Sequence, residues 1–224
     1  MSISPPKLRP LLFSGLLSGL LVGLALTAVG CGGLLTDPAS RKLYRVAGAT
    51  GFPANLPKVA TQLTIDTPTA SAGIDTQRIA LARSPVSLDY LADVEWTDRV
   101  PYLVRTVLVE SFENSGALRA VGAGPDGLRS DLMLKTEIRD FQAVYDSPSE
   151  AAPTPPTVLV SLSVKLVKMP ERTIVARTLI TAREPAATNA IPQIVVAFNG
   201  AVANAMRQVV MWTAATAALP RPRR

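Results

Sequence analysis

The chain has 224 residues, enough for one domain plus processing and tail segments, and 48% are hydrophobic against 18% charged, which excludes a disordered chain. Histidine is absent and Cys31 is the only cysteine, so the folded domain has no imidazole base, disulfide, zinc–thiolate cluster or cysteine nucleophile. The formal charge is +6, with Lys and Arg spread singly and not interleaved with aromatics, which gives a nucleic-acid interface little support.

The chain opens with Lys7 and Arg9 and no acid, followed by the apolar stretch Leu11 to Val29 and then Gly30-Cys31. That order is the basic, apolar and small-residue sequence of a secretory signal. Ala28-Val29-Gly30-Cys31 matches the bacterial lipobox, in which small residues precede a cysteine; Ala28 stands where Leu is the usual choice. The thiol of such a cysteine is diacylated, and cleavage between Gly30 and Cys31 frees an amine that takes a third chain. Several chains anchor stably where one binds only reversibly. The competing reading is an uncleaved transmembrane helix with Gly15, Gly19 and Gly23 on one face, since 19 residues fall just within the spanning range. Small residues and a lone cysteine closing the run favour the lipoprotein. Without Lys7 and Arg9 the mature chain holds 21 basic and 17 acidic residues, a mild +4 that suits an anionic lipid surface. Its second residue is Gly32 and not Asp, which by the enterobacterial sorting preference allows passage to the outer membrane over retention at the inner one.

Residues 31–40 read as a tether, 41–219 as the folded domain and 220–224 as a basic tail. Short strands are expected at Lys42 to Val46, Val59 to Ile65 and Arg78 to Ala82. A helix follows Trp96-Thr97-Asp98, with Val100, Leu103, Val104, Val107, Leu108 and Phe112 on one face. Thr97 or Asp98 is its expected cap and Asn114-Ser115-Gly116 its stop. Three long strands come next. In the first, the apolar parity slips near Asp140, which predicts a bulge. The second alternates from Val158 to Leu166, and the third puts Ile174, Ala176 and Ile180 on one face, joined to the second through a hairpin at Met169-Pro170-Glu171. A long helix from about Ile191 to Ala218 carries the stripe Ile191, Ile194, Val195, Phe198, Val202, Ala205, Met206, Val209 and Thr213. Its length raises a second membrane span, which Arg207 and Gln208 near its middle argue against. Val196, Val210 and Met211 lie off this stripe, on a second apolar side open to cover by a partner or subunit. The expected class is α/β (α+β): two layers, a mixed sheet with long antiparallel hairpins packed against two main helices.

No constellation reads as catalytic. Asp89, Asp93 and Glu95 are local and joined by no nucleophile or base. Gly122-Ala123-Gly124-Pro125-Asp126-Gly127 lacks the Lys-Ser/Thr of a phosphate loop, and Pro125 removes a donor amide. Tyr90 and Trp96 precede the first helix and are read as packed against the core at its entry, with a partner contact as the alternative. No metal or cofactor is called for.

Several segments, in order, resemble the ABC-type transport auxiliary lipoprotein family: Arg78-Ile79-Ala80-Leu81, Leu88-Asp89-Tyr90-Leu91, Trp96-Thr97-Asp98-Arg99 and Val109-Glu110-Ser111-Phe112-Glu113-Asn114-Ser115-Gly116. Leu128-Arg129-Ser130-Asp131, Ile138-Arg139-Asp140-Phe141-Gln142 and Val209-Val210-Met211-Trp212-Thr213 continue the set. The likeness covers about Leu43 to Trp212, with Asn199 standing where an acid is common. It implies a non-enzymatic, periplasm-facing subunit of an MCE-type (Mla- or Pqi-like) system that moves phospholipids or related lipids. Its implied partners are an MCE substrate-binding protein, a permease and an ATPase, with a homo-oligomer compatible. The alternative is an envelope lipoprotein that binds a lipid or small apolar ligand by itself. Recovery of an MCE protein with the chain favours the first; lipid in the isolated chain with no partner favours the second.

Overall fold

The long strand Leu132–Val144 is the spine of the molecule. In the computed structural model, which describes residues 41–124, 129–145 and 154–219, β1 (Lys42–Tyr44), β2 (Val59–Ile65), β3 (Thr69–Ala70), β4 (Arg78–Ala82), β5 (Asp89–Trp96), β6 (Leu118–Ala123), β7 (Leu132–Val144), β8 (Thr157–Lys168) and β9 (Thr173–Pro185) form one sheet. Along one side β7 pairs antiparallel with β8 over its whole length, and β9 pairs with β8. Along the other it pairs in parallel with β2, then β3, then β4. The sheet therefore forks, with β6 beyond β2 and β5 and β1 beyond β4.

Alternation dictates two unlike faces. In β7, Leu132, Leu134, Thr136 and Ile138 are buried; the register with β8 then skips Arg139, and Phe141 and Ala143 are buried instead. The bulge turns the second half of the strand over so that its apolar set stays inward. Val158, Val160, Leu162, Val164 and Leu166 of β8 continue that inner face. Helices α1 (Val100–Ser115) and α2 (Ile191–Ala218) cover it, α1 against β2 and β6, α2 against β8, β9 and β2, and the two touch each other. Full burial of each Val, Leu, Ile, Met or Phe at this interface contributes about 1.5–3 kcal/mol. Among the described residues the opposite sheet face carries no helix.

The helix ends are made differently from the expectation. The N-cap of α1 is Arg99 and neither Thr97 nor Asp98; no side chain caps it, and the Val100 amide donates to the Thr76 carbonyl at 3.1 Å. The Asp98 carboxylate accepts from the Arg99 amide, and the Arg99 guanidinium pairs with Asp75 at 2.5 Å. Gly116 ends α1 at φ 57°, a left-handed position that glycine fills without a Cβ clash. For α2 the bounds agree with the sequence reading, and Ala190 is the N-cap, its amide bonded to Thr188 Oγ1. Among the described residues α2 is the one helix long and apolar enough to cross a membrane. Its stripe is instead spent on the domain core, with Phe198, Val202, Ala205, Met206 and Val209 fully buried. On β9 the third strand's expected face breaks: the register with β8 skips Val175, so Ala176 and Ile180 face in while Ile174 turns out, 60% exposed.

Candidate docking surface

Trp96 ends β5 and points inward. It is fully buried, edge-on to Phe141 of β7 (5.8 Å between centroids) and to Phe198 of α2 (5.1 Å). Its sequence neighbours force this. The start of α1 folds back over the sheet, so the last residue of β5 lies where both helices meet the spine. Trp96 is therefore a core residue and not a partner contact. Val210 needs the same correction, since it is fully buried. The apolar side of α2 is broad enough to bury Val209 and Val210 together, because the helix lies against both the sheet and α1. Met211, one residue further round, is 42% exposed.

Tyr90 is half-buried on β5. Its hydroxyl donates to the Gly73 carbonyl at 3.0 Å, and the Arg78 guanidinium lies 3.8 Å from its ring centroid. It holds the turn between β3 and β4, a fixing role. Of Tyr90, Trp96, Val210 and Met211, Met211 alone is freely presented. Gly30 and Cys31 lie outside the described residues.

The segment that follows β1 is bolted across both helices. After β1 the Ala47 amide donates to Asn199 Oδ1 of α2 (2.9 Å), Gly48 to Glu110 Oε2 of α1 (2.9 Å), and Ala49 to Ser111 Oγ (2.8 Å). Asn114 Nδ2 returns a bond to the Ala49 carbonyl (3.1 Å). Three consecutive amides of a non-sheet segment thus find side-chain acceptors, and at the buried Ala49 that partner replaces the water it has lost. Gly48 is needed for the close approach, since a Cβ there would stand 2.6 Å from Glu110 Cβ. Asn199 supplies through its side-chain oxygen the acceptor that a carboxylate would supply. The sequence marked Glu110-Ser111 only as part of a resemblance, and Asn114 also as part of the helix stop; their task, holding the segment after β1, needed the fold to be seen.

On the face away from the helices, cross-strand register brings together residues far apart in sequence. A cleft of about 470 Å³ has Met133, Val167, Met169 and Ile174 in its lining beside Lys165 and Arg172. A larger groove of about 790 Å³ runs under the β4–β5 loop past Leu88, Val144, Leu159 and Arg183. Among the described residues no group of three or more His, Cys, Asp or Glu side chains is placed to hold a metal ion.

Residues 44–210 match the model of the family described as the ABC-type transport auxiliary lipoprotein component. An uncharacterized protein of Bradyrhizobium diazoefficiens is 29% identical over 207 residues, covering 89% of this chain and 51% of that one, so the chain spans about half the length of this curated relative. The crystal structure of protein XCC0632 from Xanthomonas campestris superposes with a TM-score of 0.72 at 25% identity, covering 78% of this chain and 95% of the other. A crystal structure of an uncharacterized protein shares the fold, with a TM-score of 0.58 at 13% identity and coverage of 78% and 99%. The match covers most of the folded domain, through the strap, the spine and both helices, and the chain belongs to the ABC-type transport auxiliary lipoprotein family.

Proposed function

We propose that the protein is a lipid-anchored, periplasm-facing docking subunit of an MCE-type ABC system that moves phospholipids or related lipids across a Gram-negative cell envelope. The observation that carries this reading is the family match over 44–210, directly behind a lipobox-type Ala28-Val29-Gly30-Cys31. Acylated Cys31 holds the domain at a membrane, in the outer membrane by the Gly32 sorting preference. The strap of Ala47 to Ala49, fixed to Glu110, Ser111 and Asn199, holds the start of the folded domain to its helical layer. Sites for partners are then surfaces and not a catalytic pocket. Met211 and Val196 are the exposed apolar candidates on α2, and the MCE protein, permease and ATPase of the same system are the partners.

The test is affinity purification of the tagged full chain from detergent-solubilised membranes of its own host. An MCE-domain protein and its permease should be recovered together with it. Their absence, with the chain itself recovered intact, would leave the envelope lipoprotein without this transport role.

A further inference from the structure

The register of β7, β8 and β9 stacks three cations in one row. Lys135 is the direct partner of Lys165, and Lys165 of Arg177. Residues paired in this way share a face, with neighbouring strands roughly 4.8 Å apart. Like charges directly opposite destabilise a sheet. Lys135 is offset by Asp66 at 2.6 Å, and Glu137 lies two residues along β7 on the same face. Lys165 and Arg177 form no ion pair among the described residues, and both are exposed. Arg172, at the β8–β9 turn, adds a fourth cation beside them. The middle of the row, Lys165 and Arg177, thus carries no ion pair among the described residues.

The next row toward that turn is wholly apolar: Met133 pairs with Val167, and Val167 with Ile174. These side chains face away from the helices. They line the cleft of about 470 Å³, a volume within the range of about 300–1,000 Å³ typical of a single bound molecule. On its other side the cationic row borders a smaller polar hollow of about 170 Å³ with Thr67, Thr69 and Ser163 in its lining, and the two cavities share Asp66, Lys135 and Lys165. An apolar cleft, a cationic ridge and a polar hollow in sequence complement a molecule with a chain, an anionic group and a polar head. An acidic peptide would satisfy the cations but leave the half-buried Met133 and the exposed Ile174 uncovered on either side of the buried Val167.

We propose that this face binds one molecule of an anionic lipid. Its phosphate or carboxylate lies on the Lys135–Lys165–Arg177 row and its chain along Met133, Val167 and Ile174. The site adds a ligand to a domain whose docking role assigns it none. It stands independently of that role, because lipid retention and partner recovery are separate readouts.

The test uses the full chain in dodecyl maltoside micelles, where no leaflet exists. It is photolabelled with three diazirine probes of equal chain length: a fatty acid, a phosphatidylglycerol and an uncharged fatty alcohol. Adducts are mapped by peptide mass spectrometry. An anionic probe should label β8 and β9 around Val167 and Ile174 about tenfold more than the alcohol, which corresponds to ~1.4 kcal/mol; the better of the two anionic probes tells carboxylate from phosphodiester. Lys165→Gln with Arg177→Gln should remove that preference, and Ile174→Asp should remove the labelling. Because Lys165 and Arg177 are exposed, the double variant should melt, without probe, at or above the wild-type temperature as the repulsion is relieved. Equal labelling by the alcohol, unchanged labelling of the double variant, adducts mapping elsewhere, or labelling in phosphatidylglycerol vesicles but not in micelles would each overturn the proposal.

Discussion

The Trp96 indole stands edge-on to the Phe198 ring, 5.1 Å between centroids and 78° between planes, and Phe141 closes the cluster. One cluster thereby ties the end of β5, the spine and α2 through residues more than forty positions apart in sequence. Edge-to-face pairs of this kind contribute about 0.5–1.5 kcal/mol beyond area burial. Trp96→Ala should cost about 3–5 kcal/mol in urea unfolding. Trp96→Phe should cost less, because the buried Nε1 makes no hydrogen bond to be lost. Equal losses in the two variants would mean that the indole is held by something other than packing.

The strap predicts a second set of effects. Ser111 is fully buried, accepts from the Ala49 amide and donates to the Val107 carbonyl. Ser111→Ala leaves that amide without its partner and should cost about 1–3 kcal/mol. Gly48→Ala should disturb the same segment by collision with Glu110, whereas Asn199→Asp keeps the acceptor for Ala47 and should be tolerated. Hydrogen exchange at Ala47, Gly48 and Ala49 reads all three: faster in the first two variants, near wild type in the third.

Val210 and Met211 are adjacent and should behave in opposite ways. Val210→Asp places a carboxylate in the core without a partner and should destabilise by more than about 3 kcal/mol. Met211→Asp, at an exposed position, should stay within about 0.5 kcal/mol of wild type. Thermal melts separate the two. Met211→Asp is then the variant to carry into partner recovery, where reduced recovery with an unchanged melt would place the contact on α2.

Long, regular elements were legible in the sequence. The nine-residue stripe of α2 returned its bounds, and the parity slip near Asp140 returned the bulge at Arg139. β5 and β6 were not legible. β5 carries Asp89, Asp93 and Glu95, which fall in no expected strand; its register with β4 shifts between Arg78 and Ala80, and Asp93 sits at φ 57°, so no clean alternation exists to be seen. β6 is six residues, mostly half-exposed, ending in small residues. Val175 misled for the same reason: a strand read with unbroken period two puts Ile174 inside, and one skipped residue puts it out. Within the candidate surface, burial separated Trp96 and Val210 from Met211, and burial of single residues depends on how the helices cross the sheet. The cationic row could not be read at all, since Lys135, Lys165 and Arg177 meet only through strand register.

The proposed docking role depends most on acylation of Cys31. The direct measurement is incorporation of labelled palmitate, with membrane sedimentation and band size, for wild type and Cys31→Ala in a Gram-negative host. Wild type should appear as a labelled, mature-sized, membrane-bound band, and Cys31→Ala as an unlabelled, uncleaved or mislocalised precursor. A Cys31→Ala chain that is still labelled and still sediments with membranes at mature size would contradict the account.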